Sequence, residues 1–324
     1  MDNLRSSIAT KILSNIPPRV RPIEYLMKSL EISRESVYRR IRGDISFSLE
    51  EIAKLSVELG FSIDELVMKD VHSRVFFDLH INCDQNPSDV YINMFEQYFK
   101  SLFEVSSAKG IDSMMIVNHI PPGFLIFYNH LFKFSYYKWM HQNQESSLNY
   151  YYADITLPEK LLLLKQKALD NIKKFRNNTF IYDTNIFRNL IADVQYYYKR
   201  KLINENELLL IKDDLLSMMD LSESITQTGY YGHESKYSFY LSSLNIDSSS
   251  RIIKFDDHLQ SQFFINSIKT LTISNPSLCS MHKKWLESMR KYSTLITQSN
   301  EILQVKYFHK QRAYIEGIKD ILLI

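Results

Sequence analysis

The chain has 324 residues, 45% hydrophobic and 23% charged, with a formal net charge of +2. That length has room for two domains, and the balance of apolar and charged residues is that of a folded globular protein rather than a disordered one. Only seven glycines are present, with no GxGxxG or GxxxxGKS/T pattern, which argues against a nucleotide-phosphate loop.

Helical spacing of Leu4, Ile8, Ile12 and Leu13 predicts a first helix over Leu4–Ser14, ended by Pro17-Pro18. Pro22 suits the first turn of a second helix, where its missing N–H costs nothing, and Ile23, Leu26, Met27 and Leu30 form that helix's apolar stripe. Ser33 is placed to cap a third helix, with Val37 and Ile41 one turn apart on its inner face and Gly43 as its stop. Ser48 with Glu51 reads as a capping box opening a fourth helix, whose stripe is Leu49, Ile52, Ala53 and Leu59 and whose stop is Gly60. Ser62 with Glu65 begins a short fifth helix carrying Leu66 and Val67.

Charge within this region is uneven. Arg19–Arg42 holds seven basic residues against three glutamates, whereas Gly43–Asp70 holds two basic against seven acidic. A nucleic-acid surface needs a local positive face, not a positive total.

Five short helices with a tight break between the second and third suggest a helix-turn-helix. The stretch SLEEIAKLSVELGFSIDEL (Ser48–Leu66) resembles the fourth and fifth helices of the Cro/CI-type (XRE-like) repressor family. One departure is clear. Where that family commonly has Trp-Glu near the end of its third helix, this chain has Arg40-Ile41, similar to bacterial regulators with a Tyr-Arg-Arg-Ile-Arg-Gly signature (here Tyr38–Gly43). The resemblance covers about the first 70 residues and implies a DNA-binding domain at residues 1–71, followed by a regulatory or dimerisation domain at 72–324.

The resemblance also places the third helix in the DNA major groove. It turns Arg34, Glu35 and Arg39 toward base edges: an arginine pairs with guanine O6 and N7, and a glutamate accepts from cytosine N4. Glu35 has a competing partner, since Arg39 lies four residues on along the same face. Ser33, Ser36 and Tyr38 are expected at phosphates or groove edges. Arg19 and Arg21 flank the positive end of the second helix, and Arg40 and Arg42 add backbone contacts.

Beyond a linker near Lys69–Arg74 the pattern predicts an α+β domain. Strands are expected at Val75–Ile81, Ile111–Asn118 and Ile268–Ile273, with a β-hairpin formed by Tyr237–Ile246 and Arg251–Phe255 across a serine-rich turn. Helices are expected over Val90–Leu102, Phe124–His141 after a Pro121-Pro122-Gly123 turn, Pro158–Phe175, Asn185–Tyr198, Asn204–Met219, Leu278–Tyr292 and Glu301–Leu323. Asn185–Tyr198 and Asn204–Met219 should form an antiparallel pair, and the sheet should be small and antiparallel.

Aromatic runs mark this domain: Tyr136-Tyr137-Lys138-Trp139, Tyr150–Tyr152, Tyr196–Tyr198 and Tyr230-Tyr231. Consecutive side chains point in different directions, so core packing or a dimer face is preferred to one aromatic-walled cavity. His119, His130 and His141 recur every eleven residues, about 16 Å apart if on one helix, too far to share a metal. Cys83 and Cys279 are isolated thiols without zinc or redox spacing. Asp213-Asp214 and Asp256-Asp257, the latter beside His258, lack an accompanying nucleophile or oxyanion motif, so no catalytic residues, cofactor or metal are expected. The N-terminus has no signal-peptide run, and no stretch reaches about 18 consecutive apolar residues. The expectation is a cytoplasmic homodimer that binds a palindromic double-stranded DNA operator and answers to a small-molecule or peptide effector. The alternative is a protein-interaction module that keeps the fold without specific DNA binding.

Overall fold

The structure, a computed structural model, describes residues 2–16, 20–62, 86–105, 111–143, 150–172, 175–232, 235–255, 258–265 and 268–319. The chain divides into two compact units, Met1–Leu79 and His80–Ile324. The expected fifth helix, the linker at Lys69–Arg74 and the strand at Val75–Ile81 lie outside the described residues.

Among the described residues of the first unit there are four helices, α1 (Asp2–Asn15), α2 (Pro22–Leu30), α3 (Arg34–Arg42) and α4 (Leu49–Leu59). These helices meet in one apolar core in which Ile12, Leu26, Val37 and Leu55 are fully buried; of the expected stripes, Leu4, Leu49 and Ala53 are instead exposed, and Leu55 takes the inward place on α4. Each such side chain withdrawn from water contributes about 1.5–3 kcal/mol before entropy is counted. Pro22 opens α2, which ends at Glu31 in the left-handed region (φ 56°). The Ser33 hydroxyl then accepts from Ser36 N at 3.3 Å to start α3. Gly43, at φ 84°, closes α3, a conformation that costs glycine little.

The second unit carries an eight-stranded mixed sheet with helices on both faces. Its strands are β1 (Asp112–Val117), β2 (Asn177–Tyr182), β3 (Tyr230–Tyr231), β4 (Ser235–Ser242), β5 (Ser250–Phe255), β6 (His258–Phe264), β7 (Thr270–Ile273) and β8 (Ser293–Leu295). They run in the order β3-β4-β2-β1-β5-β6-β7, with β8 also paired to β4. Strands β1, β2 and β4 are mutually parallel, and the remaining pairings are antiparallel.

Parallel neighbours need long crossovers, and the helices supply them. The first, from β1 to β2, runs through α6 (Pro122–Leu125), α7 (Asn129–Asn143) and α8 (Glu159–Ile172); the second, from β2 to β4, runs through α9 (Ile186–Lys199) and α10 (Glu205–Thr228). Before β1 comes α5 (Pro87–Val105); after β7 come α11 (Pro276–Lys291) and α12 (Glu301–Glu316).

Alternate strand residues divide between the faces. Met115, Val117, Phe180, Tyr182, Phe239 and Ile253 join the large aromatic core shared with most of the helices. Ile116, Ile181 and Ile252 face the other way, onto Leu286 of α11. Tyr137, Tyr152 and Tyr197 are buried in the large core, with ring centroids 5.1–5.5 Å from Tyr137 to the other two, whereas Tyr151 and Tyr196 are exposed.

The second unit departs from three expectations. The sheet is neither small nor purely antiparallel. Second, Tyr237–Ile246 and Arg251–Phe255 do not form a hairpin, because β2 and β1 lie between β4 and β5; the hairpin is β5 with β6. The serine-rich segment imitates a turn, while β4 finds its partner through a helical crossover that periodicity does not reveal. Third, Phe124–His141 is two helices. The chain breaks after Leu125, and α7 restarts at Asn129 with the Asp214 carboxylate accepting from His130 N (2.6 Å) and Leu131 N (3.1 Å).

Candidate nucleic-acid interface

At 100° per residue, the nine residues of α3 sort into two arcs. Arg34, Glu35, Tyr38, Arg39 and Arg42 span about 140° of one side, and all five are exposed. Ser36, Val37, Arg40 and Ile41 fill the opposite side, where Val37 is fully buried and Ile41 packs on the same core. Two apolar anchors one turn apart thus hold the helix and leave an arginine-rich face in solvent.

The predicted base-reading residues Arg34, Glu35 and Arg39 are brought together on that outer arc. The Arg34 guanidinium lies 5.8 Å from the centre of the Tyr38 ring. The Tyr38 hydroxyl, as hydrogen-bond and charge partner, pushes the guanidinium further above its ordinary range. Arg42 is paired with Asp44 at 3.3 Å and Arg21 with Glu24 at 3.0 Å. Both pairs are exposed, where such contacts are worth little and yield readily to a competing phosphate. Ser33 and Ser36 are tied to one another, hydroxyl to hydroxyl at 3.1 Å, in the cap of α3. Arg19 lies outside the described residues.

Arg40 is different. Expected at the DNA backbone, it instead points inward and forms a two-point pair with Glu51, Nε to Oε2 at 2.9 Å and Nη2 to Oε1 at 2.8 Å. Its Nη1 also donates to Ser36 O at 3.3 Å. The side chains of Arg40 and Glu51 are only 16% and 17% exposed. Glu51 does double duty, because its Oε2 also accepts from Ser48 N at 2.9 Å in the capping box that begins α4. The geometry removes Arg40 from the solvent arc and makes it the bolt between α3 and α4. The capping box was visible in the sequence; its second partner was not, since nothing local links residues eleven apart across a helix end.

A second link, between α2 and α4, runs through the Glu58 carboxylate, which accepts from the Ser29 hydroxyl and from the Tyr25 hydroxyl at 3.3 Å. Partial burial and then the Glu58 charge push the Tyr25 hydroxyl above its ordinary range. Helix α3 is therefore fixed by its core on one side and by polar ties at its end.

In the second unit, His130 and His141 share α7 but His119 precedes α6, so the eleven-residue spacing does not place all three on one helix. Cys279 is buried with its Sγ donating to Ile273 O at 3.3 Å, and Cys83 lies outside the described residues. Among the described residues no helix is long and apolar enough to cross a membrane.

No protein-family profile matches the sequence, and no curated protein or solved structure matches it.

Proposed function

We propose that this chain is a sequence-specific DNA-binding regulator of transcription, with α2 and α3 acting as a helix-turn-helix and α3 entering the major groove. The observation that carries this reading is the division of α3: Arg34 and Arg39 stand on the solvent arc with Glu35 between them, while the fourth inward position is occupied by Arg40 bound to Glu51. In this reading Arg34 and Arg39 address guanines, Glu35 addresses cytosine, and Arg21, Arg42, Ser33 and Tyr38 meet the backbone, while Ser36 stays in the cap of α3. Arg40 holds the reading helix against α4 rather than touching DNA.

One such helix reads only a few base pairs. Two copies meeting successive half-sites about 34 Å apart would read a palindrome, and the second unit is the natural source of the dimer contact and of a response to a small-molecule or peptide effector. The test is selection of binding sites from a randomised duplex pool by the full chain and by a variant carrying Arg34→Ala and Arg39→Ala. The wild-type protein should enrich a palindromic motif, and each arginine removed should cost about 1–3 kcal/mol on that motif with loss of preference at its position. Enrichment of the same motif by the double variant would overturn the assignment of α3 as the reading helix. No enrichment by the wild type would favour the interaction-module reading.

A further inference from the structure

The sheet of the second unit holds a buried cation that, among the described residues, faces no anion. Arg251, on β5, is 6% exposed. It stands opposite Gln262 of β6, whose Oε1 accepts from both its Nε at 2.8 Å and its Nη2. The guanidinium also lies 5.6 Å from the centre of the Tyr98 ring, on α5. Among the described residues no carboxylate pairs with it. A guanidinium keeps its charge in such a place, although burial pulls it below its ordinary range. Withdrawing a charge from water costs several kcal/mol, and a neutral amide with one aromatic face offsets only part of that. The arrangement is expensive for a purely structural residue.

Strand register shows where the charge points. Arg251 is directly opposite Met115 of β1, so Ser113 is its diagonal neighbour on the same face. Ser113 in turn pairs with Asn178 of β2, and Asn178 with Tyr237 of β4. Arg251, Ser113 and Asn178, each less than a tenth exposed, line one hollow above the sheet, roofed by Tyr98, Phe124 and Phe127. About 60 Å³ of the hollow is open to the centres of water molecules. That is room for a small molecule, not a peptide.

The Nε–Nη2 edge of Arg251 is taken by Gln262, which leaves the two N–H bonds of Nη1 and the second of Nη2 as donors. These form an end-on fork suited to one planar carboxylate. The Ser113 hydroxyl and the Asn178 amide line the same hollow, and the rest of its lining is aromatic or aliphatic. One positive charge with an apolar surround neutralises a monoanion; a phosphate dianion would leave charge buried and unmatched. We propose that this hollow is a binding site for a small monocarboxylate with an apolar body, its carboxylate on Arg251 and Ser113 and its body against Tyr98, Phe124 and Tyr237. The proposal concerns binding in the second unit and stands independently of DNA recognition.

The test uses the full chain with phenylacetate and hexanoate as probes and phenylacetamide as the uncharged control, read by calorimetric titration and thermal unfolding. Both carboxylates should bind and raise the unfolding temperature of the second unit, with phenylacetamide weaker by about tenfold or more. Arg251→Met, with an apolar side chain of similar length, should lose the carboxylate response by about tenfold or more in the folded chain. Ser113→Asp supplies a built-in carboxylate one diagonal step from the guanidinium; it should fold, and should no longer respond to either probe. It also keeps the question open to refutation if the methionine variant fails to fold. Absence of any response to both carboxylates at about 10 mM, an equal response to phenylacetamide, or an undiminished response in a folded variant would overturn the proposal.

Discussion

Two arginines adjacent in sequence do opposite work. Arg39 lies on the exposed arc of α3, and Arg40 turns inward to hold Glu51 at 2.8–2.9 Å. The difference is one residue of helical rotation, about 100°. Glu51 is the more consequential partner, since the same carboxylate accepts the Ser48 amide that starts α4. Removing Arg40 breaks a half-buried pair but leaves that cap in place; removing Glu51 breaks both. Arg40→Ala should therefore destabilise the first unit by about 1–2 kcal/mol and Glu51→Ala by about 2–3 kcal/mol. Amide hydrogen exchange along α3 and α4 in the full chain reads the two effects locally. Equal losses in the two variants would show that the cap contributes nothing beyond the pair. On DNA the signs separate further, because Arg40→Ala should weaken binding without altering the preferred bases, whereas Arg39→Ala should alter them.

At the scale of elements, local chemistry was legible in the sequence and long-range pairing was not. The caps at Ser33 and Ser48 and the glycine stops at Gly43 and Gly60 fall where the residues place them. Strand β2 lies outside the expected strands: Asn177-Asn178 is a turn-favouring pair, although Thr179–Tyr182 carries a β-branched and aromatic run that is a usable signal. Strand β6 was missed because its glutamines and serine look solvent-facing, yet Ser261 and Gln262 are fully buried. Their polar atoms are satisfied across the sheet, which no residue-by-residue pattern announces. The clearest case is His282 of α11, which bridges the Ser261 hydroxyl (2.9 Å) on β6 and the Ser250 hydroxyl (3.0 Å) on β5. Burial lowers its pKa from 6.5 to about 4. Between those two values the unfolded chain binds a proton at this site and the folded one does not, so stability falls as pH drops through the window. A variant His282→Gln has no such proton to bind. The stability advantage of wild type over this variant should therefore be largest above pH 6.5 and shrink by up to about 3 kcal/mol as pH approaches 4. Urea unfolding of both proteins at stepped pH measures it, and an advantage independent of pH would mean that folding leaves the proton affinity of the imidazole unchanged.

For the whole molecule, the proposed regulator rests on two copies acting together, and electrostatics offers a count. Each phosphate neutralised by a side chain releases condensed counterions, so the logarithm of affinity falls with the logarithm of salt concentration at about 0.9 per contact. Arg42 sits on the exposed arc of α3, in a solvent-exposed pair with Asp44. If it meets one phosphate per chain, Arg42→Ala removes one contact from a monomeric complex and two from a dimeric one. The slope should then become shallower by about 0.9 for a monomer and about 1.8 for a dimer. Base preference should be unchanged in either case, because a backbone contact carries no sequence information. Light scattering of the same complex supplies the independent count of chains per duplex. The homodimer reading requires both a slope change near 1.8 and two chains on the palindrome. One chain per duplex with a change near 0.9 would reduce the second unit from assembler to passenger.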